Sequence, residues 1–376
     1  HSGSCGAYKV DLEKDFMLGH ECAGIVEKVG ANVKSLKEGD KVALEPGITC
    51  GKCEFCKSGH YNLCPDVVFL ATPPVQGCYE EYIAFPEDMC FKLPDNMSTE
   101  EGALIEPLSV GFYAANQGEV QTGDTVVILG AGCIGLVTLL ACKAHGAGTV
   151  IVSDVVNARL EKAKELGADY VVNGGNGDVL KEIEKLTNGR GADVVFETAG
   201  SPVTIAQTPF IVRRGGTITL VGLSSQEEIS FNFAQIMDKE AQIKSVFRYR
   251  NIYPKAIAAV ASGAIDVKKI VTHRFELDNI QEAFDEAVNN KTDLVKAVIK
   301  FRRKIMLYVG VDLGTSAVKL LLMEADGTIR NIVSKEYPLF LPHPGWSEQN
   351  PEDWLEKTLE GLQELTGDTI RSRLQE

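Results

Sequence analysis

The chain has 376 residues, 44% of them hydrophobic, and a formal net charge of −14. That length and apolar content supply cores for two or three domains and exclude a disordered protein. The acidic balance argues against nucleic acid or an anionic membrane as partner, and no apolar run approaches the roughly 20 residues of a membrane span, so the expectation is a cytoplasmic protein.

His1 is not an initiator Met, and His1 to Val10 has no signal-peptide pattern, so the chain reads as a fragment with an N-terminus further upstream. In Met17 to Gly30, His20 and Glu21 follow Gly19 and precede an alternating stretch, Ile25, Val26 and Val29, that predicts a strand. Both side chains can then enter one cleft, although a lone His-Glu pair is more often a surface or core accident than a metal site. Cys50, Cys53, Cys56 and Cys64 follow as C-x2-C-x2-C-x7-C among Gly51, Gly59 and Pro65. Four thiolates at this spacing can close a tetrahedral Zn2+ site, with Zn–S of about 2.3 Å and no open position, which makes it structural. A redox pair or two disulfides are the other readings, and His60 inside the loop can compete as a ligand.

Gln76 to Phe85 alternates as a strand would. Ser98 and Glu101 form a capping box for a helix with Ala103, Leu104, Leu108, Val110 and Ala114 as core positions. Glu106 falls among them, just before Pro107; it is either solvent-exposed or a carboxylate working near a metal.

Thr125 to Asp154 carries a complete dinucleotide fingerprint. An apolar strand, Thr125 to Leu129, leads into Gly130, Gly132 and Gly135 at G-x-G-x-x-G spacing, then a helix from Ile134 to His145 and a second strand ending at Asp154. The three glycines permit the tight turn, close approach of a pyrophosphate and close helix packing, and the helix N-terminus offers unpaired N–H donors. Asp154 is placed to accept from an adenosine ribose and repels a 2′-phosphate, which favours NAD over NADP.

Strands at Tyr170 to Val172, Asp193 to Glu197, Thr217 to Val221 and Gln242 to Val246 complete a doubly wound sheet, with helices at Asn157 to Leu166 and Asp178 to Leu186. Val221, Gly222 and Leu223 end a strand where a nicotinamide ring would lie. Ile134 at the fingerprint helix, Phe247 after the sixth strand, and Arg159 beyond Asp154 are further cofactor candidates; Arg159 reads equally as an exposed helix cation. Ile280, Ala283, Phe284, Ala287 and Val288 make a helical stripe, and Val295, Ala297, Ile299 and Phe301 alternate as a closing strand.

Beyond the basic junction Arg302-Arg303-Lys304, Met306 opens a new pattern: a strand at Leu307 to Val311, a polar turn at Asp312 to Ser316, a strand at Val318 to Met323 and a hairpin at Asp326-Gly327. The D-x-G-T turn offers a carboxylate for Mg2+ and backbone donors for phosphate.

The order Gly19-His20-Glu21, Glu38-Gly39-Asp40, the four-Cys loop, Glu106 to Val110 and Gly130 to Gly135 resembles the zinc-dependent medium-chain alcohol dehydrogenases, within them the sorbitol and xylitol dehydrogenase branch, from about His1 to Phe301. The resemblance implies an α/β protein with a GroES-like β-rich catalytic domain (1–111), a Rossmann domain binding NAD (112–248) and a return to the catalytic domain (249–301). It also implies a homo-oligomer, dimer or tetramer, acting on a small polyol. It makes His20 and Glu21 ligands of a catalytic zinc and Glu106 the glutamate beside it. Arg248 and Tyr249 become substrate-side groups, with Arg248 also near the cofactor and paired with Glu106, and Arg159 lies on the ribose side. The family's cysteine ligand, in a C-G-S-D type motif upstream of Gly19-His20-Glu21, has no counterpart; Cys5 has a different context, so an incomplete catalytic zinc set is expected. Residues 302–376, with Tyr337 to Phe340 and His343 to Gln349, resemble the start of a xylulokinase, a partial ribonuclease-H-like segment from which no kinase activity is expected.

Overall fold

The computed structural model describes residues 4–5, 8–9, 15–290, 292–301, 307–324 and 327–371. The chain divides into two compact units, residues 1–301 and 302–376.

The first unit begins with short strands. β1 (Ser4–Cys5) and β2 (Tyr8–Lys9) form an antiparallel pair. β3 (Cys22–Ile25) and β4 (Lys41–Leu44) pair antiparallel, and β7 (Cys90–Lys92) adds to β4. β5 (Gly47–Ile48) and β6 (Val68–Phe69) frame the cysteine-rich excursion, which holds α1 (Glu54–Lys57) and a 3₁₀ turn, Tyr61–Leu63. α2 (Thr99–Ala103) carries the expected capping box of Ser98 and Glu101, and α3 (Ile105–Gln117) follows it.

A six-stranded sheet comes next: β8 (Thr125–Leu129), β9 (Thr149–Asp154), β10 (Tyr170–Asn173), β11 (Ala192–Glu197), β12 (Val212–Leu220) and β13 (Gln242–Ser245). Its order is β10-β9-β8-β11-β12-β13 and every pairing is parallel. The crossovers are α4 (Cys133–Ala144), α5 (Asn157–Glu165), α6 (Val179–Leu186), α7 (Pro202–Ile211) and α8 (Phe233–Lys239). Alternate residues of β8 serve opposite cores: Val126 and Ile128 pack with Leu136 and Val137 of α4, while Val127 and Leu129 pack with Ile151 and Val195 on the other face. That is why the strand is apolar on both sides. Strand order reverses between β8 and β11, which opens a crevice at their carboxyl ends.

α9 (Tyr253–Ala261), β14 (His273–Glu276), α10 (Ile280–Asn289) and β15 (Ala297–Lys300) return to the N-terminal strands. The return is tied by Tyr253 Oη–H to the Leu44 carbonyl at 2.8 Å and by Arg274 Nη2 to Glu100 Oε1 at 2.6 Å. In the second unit, β16 (Leu307–Leu313), β17 (Ala317–Glu324) and β18 (Ile329–Glu336) form an antiparallel sheet. Val318, Leu320 and Leu322 pack against Leu362 and Leu365 of α11 (Pro351–Arg371), which is interrupted at Gly367. Among the described residues no helix is long and apolar enough to cross a membrane.

Several expected elements differ. Residues 76–85 form no strand; their backbone instead clasps 17–19, with Gly77 N–H on the Met17 carbonyl (2.8 Å) and Cys78 N–H on that of Gly19 (2.8 Å). A Cβ on Gly77 would lie 2.1 Å from the Leu18 carbonyl oxygen, an approach too close for a regular ladder. The strand expected through Val29 stops at Ile25. The helix expected after Ser98 breaks at Leu104, because Pro107 lacks the N–H that would bond the Ala103 carbonyl and its ring crowds that group. β12 begins at Val212, well before Thr217, and β16 runs through Asp312 to Leu313, so the polar turn is Gly314 to Ser316. In α10 only Ala283 of the apolar stripe is buried. The junction 302–306 and Asp326 lie outside the described residues.

Candidate active site

Gly130 has φ +108°, a left-handed conformation that lets β8 turn abruptly into α4. A Cβ on Gly135 would stand 1.9 Å from the Gly130 carbonyl oxygen, whereas one on Gly132 would meet nothing within 4 Å. The turn is thus closed on the helix side and open where a pyrophosphate would approach, beside the N-terminal N–H groups of α4. Asp154 accepts from Ala131 N–H (2.7 Å) and Val156 N–H (2.9 Å), one on each oxygen, which welds β9 to the glycine turn and leaves each oxygen a second lone pair. Ile134 and Arg159 stand half-buried on the first turns of α4 and α5. On the other side of the crevice Val221 and Gly222 donate to the Glu197 carbonyl at 2.8 and 2.9 Å, and Leu223 is 87% exposed.

Two residues of this crevice escaped the sequence reading. Glu197 is wholly buried and its carboxylate accepts from Ala199 N–H (3.0 Å), Gly200 N–H (3.0 Å) and the Thr204 hydroxyl (2.7 Å). Thr198 donates to the Gly130 carbonyl at 3.0 Å and so fastens this loop to the glycine turn. The signal was available: an acidic residue ending an apolar strand needs local donors.

A second cluster faces that crevice. α3 packs closely on α4, since a Cβ on Gly111 would lie 2.5 Å from the Val137 carbonyl, and this brings Glu106 at the start of α3 near Cys133 at the start of α4. Ligand atoms of His20, Glu21 and Glu106 lie within 4.8 Å of one another. Burial, with Lys296 and Arg248 nearby, pulls the His20 imidazole down to about 4, which keeps its lone pair free for a metal. Burial pushes Glu106 up to about 7, opposed by the hydrogen bond from Tyr249 Oη–H at 2.8 Å. Burial, then the Glu106 charge, raises Tyr249 well above the phenol range. The bond to Glu106 comes from Tyr249, while the Arg248 guanidinium lies over the Phe69 ring at 4.4 Å and the Phe247 ring at 4.8 Å. Lys296, absent from the sequence reading, donates to Glu21 Oε2, and burial draws its ammonium down to about 8. Nothing local marks it: it precedes β15, and only the folded chain sets it against Glu21.

The thiols of Cys50, Cys53, Cys56 and Cys64 also lie within 4.8 Å of one another, and none of the four is in a disulfide. The Cys50 and Cys56 sulfurs are 4.0 Å apart, close to the edge of about 3.8 Å that a ZnS4 tetrahedron with 2.3 Å bonds requires. Cys53 N–H and Cys56 N–H point at the Cys50 and Cys53 sulfurs, each at 3.4 Å, as donors stabilising thiolates do. The donor set fits a closed structural zinc. His60 instead bonds Ser58, its Nδ1 3.0 Å from the Ser58 carbonyl.

Comparison with known proteins agrees with this geometry. Residues 3–95 match the alcohol dehydrogenase GroES-like domain and residues 133–262 the zinc-binding dehydrogenase family. A sorbitol dehydrogenase of Bacillus subtilis is 49% identical over 298 residues, covering 79% of this chain and 84% of that protein. The chain belongs to the zinc-dependent medium-chain alcohol dehydrogenases. Membership makes it a zinc- and NAD-dependent oxidoreductase acting on a small molecule. An Escherichia coli oxidoreductase of unknown specificity superposes with a TM-score of 0.75 at 48% identity, covering 78% of this chain and 84% of that one. An alcohol dehydrogenase of E. coli solved with NADH gives 0.71 at 28% identity, covering 75% and 83%. Residues 307–373 match the N-terminal domain of FGGY carbohydrate kinases.

Proposed function

We propose that this dehydrogenase oxidises a secondary hydroxyl of a polyol to a ketose, with xylitol to D-xylulose favoured and sorbitol next, using NAD. The carrying observation is the cluster at the start of α3, where half-buried His20 and Glu21 bring ligand atoms within 4.8 Å of buried Glu106, which accepts from buried Tyr249. His20 and Glu21, with no counterpart here of the family's cysteine ligand, would supply an incomplete ligand set to a catalytic zinc, which as a Lewis acid favours the alkoxide when bound. Glu106, poised near neutrality, can take up or pass a proton, and Tyr249 fixes which of its oxygens is free to do so. The Arg248 guanidinium, near enough to His20 to lower its basicity, would offer its N–H edge to a substrate hydroxyl. Gly130, Gly132, Ile134 and Gly135 would receive the pyrophosphate, Asp154 and Arg159 the adenosine ribose side, and Val221, Gly222, Leu223 and Phe247 the nicotinamide end. Asp154 supports NAD over NADP. Cys50, Cys53, Cys56 and Cys64 would hold the structural zinc.

The sorbitol dehydrogenase relative supports the substrate class, and the kinase-like residues 307–373 favour xylitol, whose ketose is a carbohydrate kinase substrate. The same reading carries a homo-oligomer, dimer or tetramer. The test is an NAD-linked assay on zinc-loaded protein with xylitol, sorbitol and simple secondary alcohols. Turnover of a polyol well above that of the simple alcohols is expected, and none with either polyol overturns the reading.

A further inference from the structure

Residues 247–251 leave β13 irregularly, and two of them, Arg248 and Asn251, hold φ of +56°. That left-handed backbone is unfavourable for a residue with a Cβ and persists where neighbours over-determine it. Those neighbours belong to the cysteine-rich excursion, far away in the chain. Asn62, 4% exposed, bridges the residues on either side of Arg248 and Tyr249: its Nδ2–H donates to the Phe247 carbonyl at 2.9 Å and its Oδ1 accepts from Arg250 Nη1 at 3.0 Å. Asn251 N–H donates to Tyr61 Oη at 2.7 Å, and Tyr61 Oη–H donates to the buried Glu45 at 2.8 Å. Asn251 Nδ2–H reaches the Gly59 carbonyl at 3.1 Å, and Arg250 lies over the Tyr113 ring at 5.2 Å. Bracketed by this clamp, Tyr249 reaches Glu106.

We propose, resting on the polyol dehydrogenase reading, that Tyr61 and Asn62 are positioning residues for the substrate. Held by the short turn before Cys64, they clamp residues 247–251 so that Arg248 and Tyr249 present their side chains to the Glu106 cluster. The cysteine knot thereby does more than stiffen its own loop: it sets the substrate wall, whereas the glycine turn and Asp154 of the dinucleotide crevice are built without it. A general packing role would loosen both sides together; a positioning role loosens one.

The experiment compares wild type with Asn62→Ala, Asn62→Asp and Tyr61→Phe by amide hydrogen exchange and NAD-linked kinetics on zinc-loaded protein. Exchange of residues 247–251 is expected to quicken at least ten-fold in Asn62→Ala, with β8 and α4 unchanged. The polyol kcat/KM should fall at least ten-fold while the KM for NAD rises by clearly less, since of the cofactor-side groups only Phe247 and Arg248 lie in the clamped segment. Asn62→Asp keeps the Arg250 arm and should recover part of that loss. Tyr61→Phe, which alters no buried volume beyond one oxygen, gives the milder version should Asn62→Ala not fold. Unchanged exchange at 247–251, or equal losses for NAD and polyol, overturns the proposal. If wild type turns over no polyol, the functional reading fails, while exchange at 247–251 still decides whether the clamp exists.

Discussion

The dinucleotide crevice takes its glycine turn, its helix N-terminus and Asp154 from one uninterrupted run, Thr125 to Asp154, whereas the cluster facing it gathers His20, Glu21, Glu106, Tyr249 and Lys296 from stretches far apart in the chain. The first is held by backbone: Ala131 and Val156 amides on Asp154, and the Gly130 carbonyl against Gly135. The second is held by side chains that exist as a set only after folding. A site of the first kind should fail at a single glycine. One of the second should fail group by group while the crevice beside it survives.

The largest effect belongs to Gly135→Ala. Its new methyl would collide with the Gly130 carbonyl, which is backbone and cannot swing away, so the turn must open. NADH affinity, followed by fluorescence titration, should drop by about 100-fold or more. Near-normal binding would show that the turn is not the rigid element described.

Glu106→Ala comes next. Removing a buried proton acceptor should lower polyol turnover by roughly 10²- to 10³-fold while NADH affinity stays within a few-fold. A parallel loss of NADH binding would erase the distinction between the two regions.

Asp154→Ser should raise the KM for NAD by roughly ten-fold and shift preference toward NADP, because the variant loses charge repulsion of the 2′-phosphate along with the ribose acceptor. Unchanged NAD to NADP selectivity would remove Asp154 from the ribose site.

The last prediction is one of stability rather than activity and concerns Glu45, behind Tyr61. Burial pushes its carboxyl up to about 7 from 4.5, against the pull of the Tyr61 hydrogen bond. A raised folded pKa means that the folded state holds the proton more tightly, so this group's contribution is full below about 4.5 and is lost as pH rises through about 7. The shift corresponds to on the order of 3 kcal/mol. Tm of wild type should therefore decline from pH 5 to 8 relative to Glu45→Gln, and identical pH profiles would place Glu45 in a wetter setting.

How much could be read in advance follows the same division. The Gly130-Gly132-Gly135 spacing, the four-Cys spacing and the Ser98–Glu101 box depend on neighbours a few residues away, and each has the geometry its spacing requires. The reading faltered where a distant segment decided the outcome: Gln76 to Phe85 alternates as a strand but is used to clasp Met17 to Gly19. Glu106 could be read as an odd carboxylate in an apolar helix, yet its hydrogen-bond donor, Tyr249, lies far along the chain. Lys296 and Asn62 had no local mark beyond their polarity.

Chain order alone therefore carried the parallel sheet, the cofactor turn and the cysteine knot, because hydrophobic period, glycine freedom and ligand spacing act over short stretches of backbone. Folding decided which carboxylate meets which partner, that Lys296 sits on Glu21, and that Asn62 bridges Phe247 and Arg250. Those contacts depend on where buried surfaces bring distant segments together, and a buried polar group takes whichever partner the packing leaves within reach.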